Sequence, residues 1–203
     1  MSNRKPVHLA VYDTYADWET GHTTAWLARG GYEVRTVAAG TDAVRTVAGV
    51  RIQPDEALGE LRPEDSSLLV LTGADLWDTG DALAPFARKA GEFLAAGVPV
   101  AAICGATAGL AREGLLDDRA HTSAAPFYLA ATGYEGAQRY VEADAVTDAS
   151  GLLVTAGPTE PVALAREVLR LLGVYEGEVL DAWYRLFHDS DPEAYAVLEA
   201  AGR

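Results

Sequence analysis

A doubly wound α/β domain, in which helices cover both faces of a mostly parallel sheet, is predicted by three observations. Short apolar runs without polar alternation recur along the chain, as strands buried on both faces require. Amphipathic runs with helical period separate them. No stretch rich in Pro, Gly or Ser divides the 203 residues and no internal repeat interrupts them, so a single core, large enough to stand without disulfides or metals, accounts for the chain.

Taken in order, Val7–Tyr12 reads as a strand, Tyr15–Arg29 as a helix ended by Gly30-Gly31, and Tyr32–Ala38 as a second strand. Thr14 with Asp17 resembles a helix-capping pair. Val44–Ile52 reads as a short hairpin turning at Gly49, and Leu68–Leu71 as a strand with charge before it and Thr72-Gly73 after it. Asp81–Ala96 has helical period and stops before Gly97. The stretch Phe93 to Ala111 carries no charge and is as long as a membrane span, but its glycines, Pro99 and alanines mark helix end, turn, a buried strand at Val98–Ile103 and a helix at Gly105–Arg112. Tyr140–Thr147 and Leu152–Thr155 read as an antiparallel or edge pair, and Glu160–Leu172 as a packing helix. Residues 1–173 thus form the α/β domain. Residues 174–203 form an acidic helical extension packed on it, with one or two helices in Tyr175–Ala201 and a bulky apolar stripe from Val179 to Phe187 suited to core cover, interface or lid.

Charge and cysteine content narrow the function. Sixteen Lys and Arg against thirty Asp and Glu give a formal charge of −14, with no basic cluster, which opposes nucleic acid and anionic lipid as partners. One cysteine, Cys104, can form neither an internal disulfide nor a multi-thiolate metal site, so a reducing, cytoplasmic setting is expected and no metal or cofactor is implied. The N-terminal apolar run is too short for a signal-peptide core.

Ligands of open parallel sheets bind outside the carboxyl ends of the strands. Three post-strand loops stand out there. In Ala102-Ile103-Cys104-Gly105-Ala106 a buried strand meets a helix with small residues around the cysteine, the arrangement of a nucleophile elbow, and a helix N-terminus favours thiolate, so a lowered Cys104 pKa is expected. Read alone, Cys104 is equally a small buried hydrophobe. Glu19 follows the first strand; alone it reads as a surface acid complementing a helix dipole, but beside Cys104 it would assist a thiolate only if its own pKa were raised so that it donates a proton. The loop Leu71-Thr72-Gly73-Ala74-Asp75 brings backbone N–H groups with little side chain, and Ala74 with Gly105 could form an oxyanion hole.

Together, Ala101-Ala-Ile-Cys-Gly-Ala-Thr-Ala-Gly-Leu110, Glu19, the Leu71–Ala74 loop and Leu115-Leu-Asp-Asp-Arg-Ala-His-Thr-Ser123 resemble the ThiJ/PfpI superfamily, over about Val7 to Leu172. The resemblance implies a flavodoxin-like fold, Cys104 as elbow nucleophile, Glu19 as its acid, and Ala74 and Gly105 at the oxyanion positions. It also implies small substrates such as reactive aldehydes, their adducts or amides, a stress-related role and a homodimer. Two departures stand beside it. Gly105 follows Cys104 where peptide-hydrolysing members carry a His, and Ser123 falls where deglycase-like members place one. His121, two residues earlier on the same side of an extended segment, is the nearest substitute base, and a local structural role for it is the alternative. His22, one turn past Glu19, could share its face, though a surface role suits it equally. Three functions stay open: an enzyme, a non-catalytic oxidant sensor acting through Cys104, and a binding module with a vestigial elbow.

Overall fold

The computed structural model describes residues 4–202. Strands β1 (Val7–Ala10), β6 (Leu68–Leu71), β7 (Val100–Ile103) and β9 (Leu153–Ala156) are buried at every position, which explains their unbroken apolar sequence. With β2 (Val34–Ala38), the short edge strand β5 (Glu56–Ala57) and β8 (Ala145–Thr147), they form a seven-stranded sheet in the order β5-β2-β1-β6-β7-β9-β8. Every pairing is parallel except β8 on β9. The doubly wound prediction holds, and so does the antiparallel pair at the end. The hairpin expected around Gly49 is the separate pair β3 (Val44–Arg45) and β4 (Arg51–Ile52), with Gly49 at a φ of +82°.

Helices α1 (Gly21–Arg29) and α5 (Pro161–Leu171) pack together on one face of the sheet, and α2 (Ala84–Ala95) packs with α3 (Gly105–Arg112) against β6 and β7. Helix α2 buries Phe86, Ala87, Ala90, Phe93 and Leu94, the spacing of one helical stripe, and carries Pro85 in its first turn. Phe93–Ala111 resolves into helix end, turn, strand and helix start as read, and among the described residues no helix is long and apolar enough to cross a membrane.

Several boundaries are corrected by tertiary contacts. The first helix begins at Gly21, not Tyr15, because Thr14 adopts a φ of +63° and Tyr15 bridges Thr46 and Ala74. Asp17 is no cap: its carboxylate accepts the Ala48 N–H at 3.0 Å, and the helix-start residue Thr20 makes no capping bond. Tyr140 and Val141 pair with His121 rather than with β9, which shortens the strand read over Tyr140–Thr147. The five-residue helix α4 (Pro126–Ala130) and strand β5 were not anticipated, both being too short to show a period.

The C-terminal run forms two helices, α6 (Gly177–His188) and α7 (Ala194–Ala200), separated where Ser190 takes a φ of +56° ahead of Pro192. Helix α6 lies on α5 and carries α7. Its stripe is core cover: Trp183 is fully buried and meets the rings of Trp26 and Phe187 at 6.0 and 5.2 Å. His22 packs edge-on against Trp183 and Phe187, so it belongs to this aromatic cluster and burial lowers its pKa.

Candidate active site

Strand order reverses at β1 and β6: the chain leaves β1 toward β2 on one side and builds β6, β7 and β9 on the other. The loops after β1, β6 and β7 therefore converge at a topological switch point, where a doubly wound sheet opens a crevice. They supply Glu19, Gly73 with Ala74, and Cys104 with Gly105, and all five line one cavity of about 180 Å³.

Cys104 occupies the turn between β7 and α3 with φ 58° and ψ −129°. This left-handed conformation is one an L-residue holds only under strain, costing on the order of 1–3 kcal/mol. The elbow is braced on both sides. The Cys104 N–H donates to the Ala156 carbonyl at 3.1 Å, and the Cys104 carbonyl accepts from the Thr107 hydroxyl at 2.6 Å. Thr107 is itself paired with the Ser123 hydroxyl at 2.7 Å. Gly105 and Gly109 let α3 lie flat on Trp77: a β-carbon at 105 would sit 3.1 Å from the Trp77 side chain, and one at 109 only 2.1 Å from its ring.

Glu19 is fully buried, and its Oε2 accepts the Gly73 N–H at 2.6 Å while Oε1 has no hydrogen-bond partner among the described residues. Gly73 is squeezed between the carboxyl and the cysteine, since a β-carbon there would lie 2.6 Å from Glu19 Oε1 and 2.9 Å from Cys104 Cβ. Only glycine permits this approach of carboxyl and thiol. Burial raises the Glu19 pKa to about 7, outweighing the Gly73 N–H and the Cys104 thiol, which both favour its ionised form. The condition set for Glu19 in the sequence, a raised pKa, is met.

The expected lowering of the Cys104 pKa is not. Burial and then the Glu19 carboxylate push the thiol up to about 12, against the Gly105 N–H, which pulls it down. The helix N-terminus acts in the anticipated direction but is the weaker influence. The Glu19 contribution depends on that group's charge: once the carboxyl is protonated the repulsion is gone, and an acid O–H is left facing the sulfur. The two protons belong to the pair, and the first leaves near neutrality.

The other sequence-predicted residues fall into place less directly. His121 does not line the cavity; its Nδ1 is bonded to the Arg119 carbonyl at 2.8 Å and its Nε2 to the Tyr134 hydroxyl at 3.1 Å. Its approach to Cys104 as a base is thus not seen, because the ring is turned into the Tyr134 and Tyr140 side. Ser123, bonded to Thr107, buttresses the elbow from behind, and Ala124 reaches the cavity in its stead. No His, Lys or Arg is among the lining residues.

The cavity has a second wall that sequence reasoning missed. The Tyr128 hydroxyl donates to Asp78 Oδ1 at 2.8 Å, and both residues line the cavity with Asp75, Trp18 and Val47. Burial, then Asp78 and then Cys104, raise the Tyr128 pKa. Pro126 followed by two aromatics was the available signal for this helix. A separate group of potential metal ligands, Asp144, Glu160 and His188, brings one ligand atom each within 4.8 Å of the others, away from Cys104 and partly exposed. The His188 Nδ1 also meets Asp189 at 2.6 Å.

Comparison with known proteins places this arrangement. The model of the DJ-1/PfpI family matches residues 5–171. The chain is 37% identical over 208 residues to a Bacillus subtilis protein named uncharacterized protease YoaZ, covering 98% of this chain and 97% of that one. It is 27% identical over 173 residues to protein/nucleic acid deglycase 2 of Escherichia coli, covering 83% and 98% of the two chains. The crystal structure of a thiJ/pfpI family protein from Bacillus anthracis superposes with a TM-score of 0.90 at 36% identity, covering 97% and 96%.

Proposed function

The chain belongs to the DJ-1/PfpI family, and from that premise we propose that it is a cysteine-dependent enzyme acting on small reactive carbonyl or amide substrates. The observation that carries the reading is the fully buried Glu19 carboxyl, raised to about 7, held against a thiol on strained backbone at a small cavity. The ionised fraction of Glu19 takes the Cys104 proton as the sulfur attacks the substrate carbon. The C–S bond forms as the carbonyl π pair moves onto oxygen, toward the N–H groups of Gly105 and Ala74. Glu19 then passes its proton to that oxygen, giving a neutral hemithioacetal, or to the leaving nitrogen of an amide. A stress-related role, a homodimer and a cytoplasmic setting belong to the same proposal.

Proteolysis is the least supported activity, although two relatives are named uncharacterized proteases. A peptide leaving group needs a well-placed proton donor beyond the nucleophile's own partner. Position 105 is a glycine packed on Trp77, and the bonds of His121 point it elsewhere.

A second reading draws on the same pair. A thiolate attacking peroxide breaks the O–O bond to give sulfenic acid and hydroxide, and the chain has no second cysteine to resolve it. Assays of wild type, Cys104→Ser and Glu19→Gln with a 2-oxoaldehyde, a small amide and peroxide separate the two. Turnover that vanishes in Cys104→Ser and falls about 10²–10⁴-fold in Glu19→Gln supports the enzyme. Stoichiometric oxidation without turnover of carbonyl or amide selects the sensor. A thiol that reacts only on unfolding overturns both.

A further inference from the structure

The cavity around Cys104 is one-sided in charge. Its ionisable lining residues other than Cys104 and Tyr128 are Glu19, Asp75 and Asp78, all acids. The cation acting on this corner, Arg112, donates to the Trp77 carbonyl at 2.8 Å and lines the neighbouring cleft instead. The part of the lining formed by Asp78 and Tyr128 is also one-sided in hydrogen bonding. Tyr128 commits its proton to Asp78 at 2.8 Å, so both groups present lone pairs, and buried Glu19, also in the lining, has an Oε1 with no hydrogen-bond partner among the described residues. Trp18 and Val47, 56% and 48% exposed, give the mouth an apolar rim.

We infer that this cavity admits neutral or cationic substrates carrying an N–H or O–H donor beside the electrophilic carbon and rejects anionic ones, with Asp78, positioned by Tyr128, setting the choice. The inference rests on the reading of Cys104 as an accessible nucleophile and adds the substrate class. A carboxylate or phosphate ester would meet three acids and no cation. An ammonium, amide or hydroxyl donor would meet Asp78 and the Tyr128 oxygen while the carbonyl oxygen turns to the Gly105 and Ala74 N–H groups. Tyr128 acts through Asp78 and is a positioning residue.

Because Cys104 is the one cysteine of the chain, the test needs no substrate. Three methanethiosulfonates of matched reactivity, a quaternary ammonium, a neutral methyl and a sulfonate, are reacted with the full chain. In each case the thiolate displaces methanesulfinate and forms a mixed disulfide, its proton leaving to solvent. Rates are normalised to a neutral model thiol and taken at about 1 M salt, where screening over about 3 Å removes the field of the whole chain. The expected order is cation, neutral, anion, with about tenfold or more between the extremes. Asp78→Asn and Tyr128→Phe each narrow that span by about threefold, while Glu199→Gln, the same loss of charge at a remote exposed position, leaves it unchanged. Equal rates for the three reagents, or equal effects of Asp78→Asn and Glu199→Gln, overturn the selectivity alone. No reaction with any reagent in the folded chain overturns the underlying reading, and this one with it.

Discussion

The Cys104 cavity and the aromatic cluster under α6 sit on the same sheet scaffold and follow opposite rules. Around Trp183 large rings meet at 5.2 to 6.2 Å and full burial is reached by ring contact, with the indole N–H left without a hydrogen-bond partner among the described residues. Around Cys104 the backbone is strained, a carboxyl is buried with one oxygen unpartnered, and glycines hold space open for neighbouring side chains. One region supplies stability and the other draws on it, and that difference supports the proposal made above for the second.

The comparison breaks first at its stable end. Trp183→Ala should cost about 3–5 kcal/mol in unfolding free energy, since it empties a fully buried site in the aromatic cluster that α6 forms with His22 and Trp26 of α1. Denaturant unfolding reads this directly. A loss below about 1 kcal/mol would mean that α6 is an appendage rather than part of the core.

The costly end is sharpened by pH. Glu19 holds a pKa of about 7 in the folded chain against 4.5 as its ordinary value. Between those values the native state keeps a proton that the unfolded chain has lost, so the stability this group contributes is complete below 4.5 and is lost as pH rises through 7. The difference corresponds to about 3 kcal/mol. Glu19→Gln, which keeps the shape and removes the titration, should therefore gain on wild type by about that amount between pH 4.5 and pH 8. A constant difference across the range would show that the carboxyl ionises in the fold as it does in water.

The smallest effect isolates backbone strain. Cys104→Gly should be more stable than Cys104→Ala by about 1 kcal/mol, because glycine alone is at ease at a φ of 58°. Paired thermal melts decide this, and an alanine variant equal to or better than the glycine would remove strain from the account.

Much of the site was legible because local rules produce it. Fully buried parallel strands give unbroken apolar runs, and small residues around a lone cysteine after such a run give the elbow at Cys104. The position of Glu19 was readable, but its burial was not: the sequence has it in a helix from Tyr15, whereas Thr14 and the bridges of Tyr15 turn that segment into a loop that carries the carboxyl inward. The sign of the Cys104 shift was missed for the same reason, since a helix N-terminus can be inferred from sequence and desolvation cannot. Asp78 and Tyr128 lie fifty residues apart, and only the fold joins them. Gly105 and Gly109, one turn apart on α3, were a readable sign of a flat face awaiting a large ring, which Trp77 fills.

The most direct test of the central claim, that Glu19 titrates near neutrality against the Cys104 thiol and governs it, is the pH dependence of Cys104 alkylation by a neutral reagent in wild type and in Glu19→Gln. The account predicts a small wild-type rate that appears with a midpoint near 7, the pKa to which Glu19 is raised, ahead of a larger rise toward about 12, and a Glu19→Gln profile with no step near 7 and its main rise below that of wild type, because the carboxylate's repulsion is gone. Identical profiles, or a wild-type thiol that reacts only in strong alkali, would contradict it and return Cys104 to the core as an inert side chain.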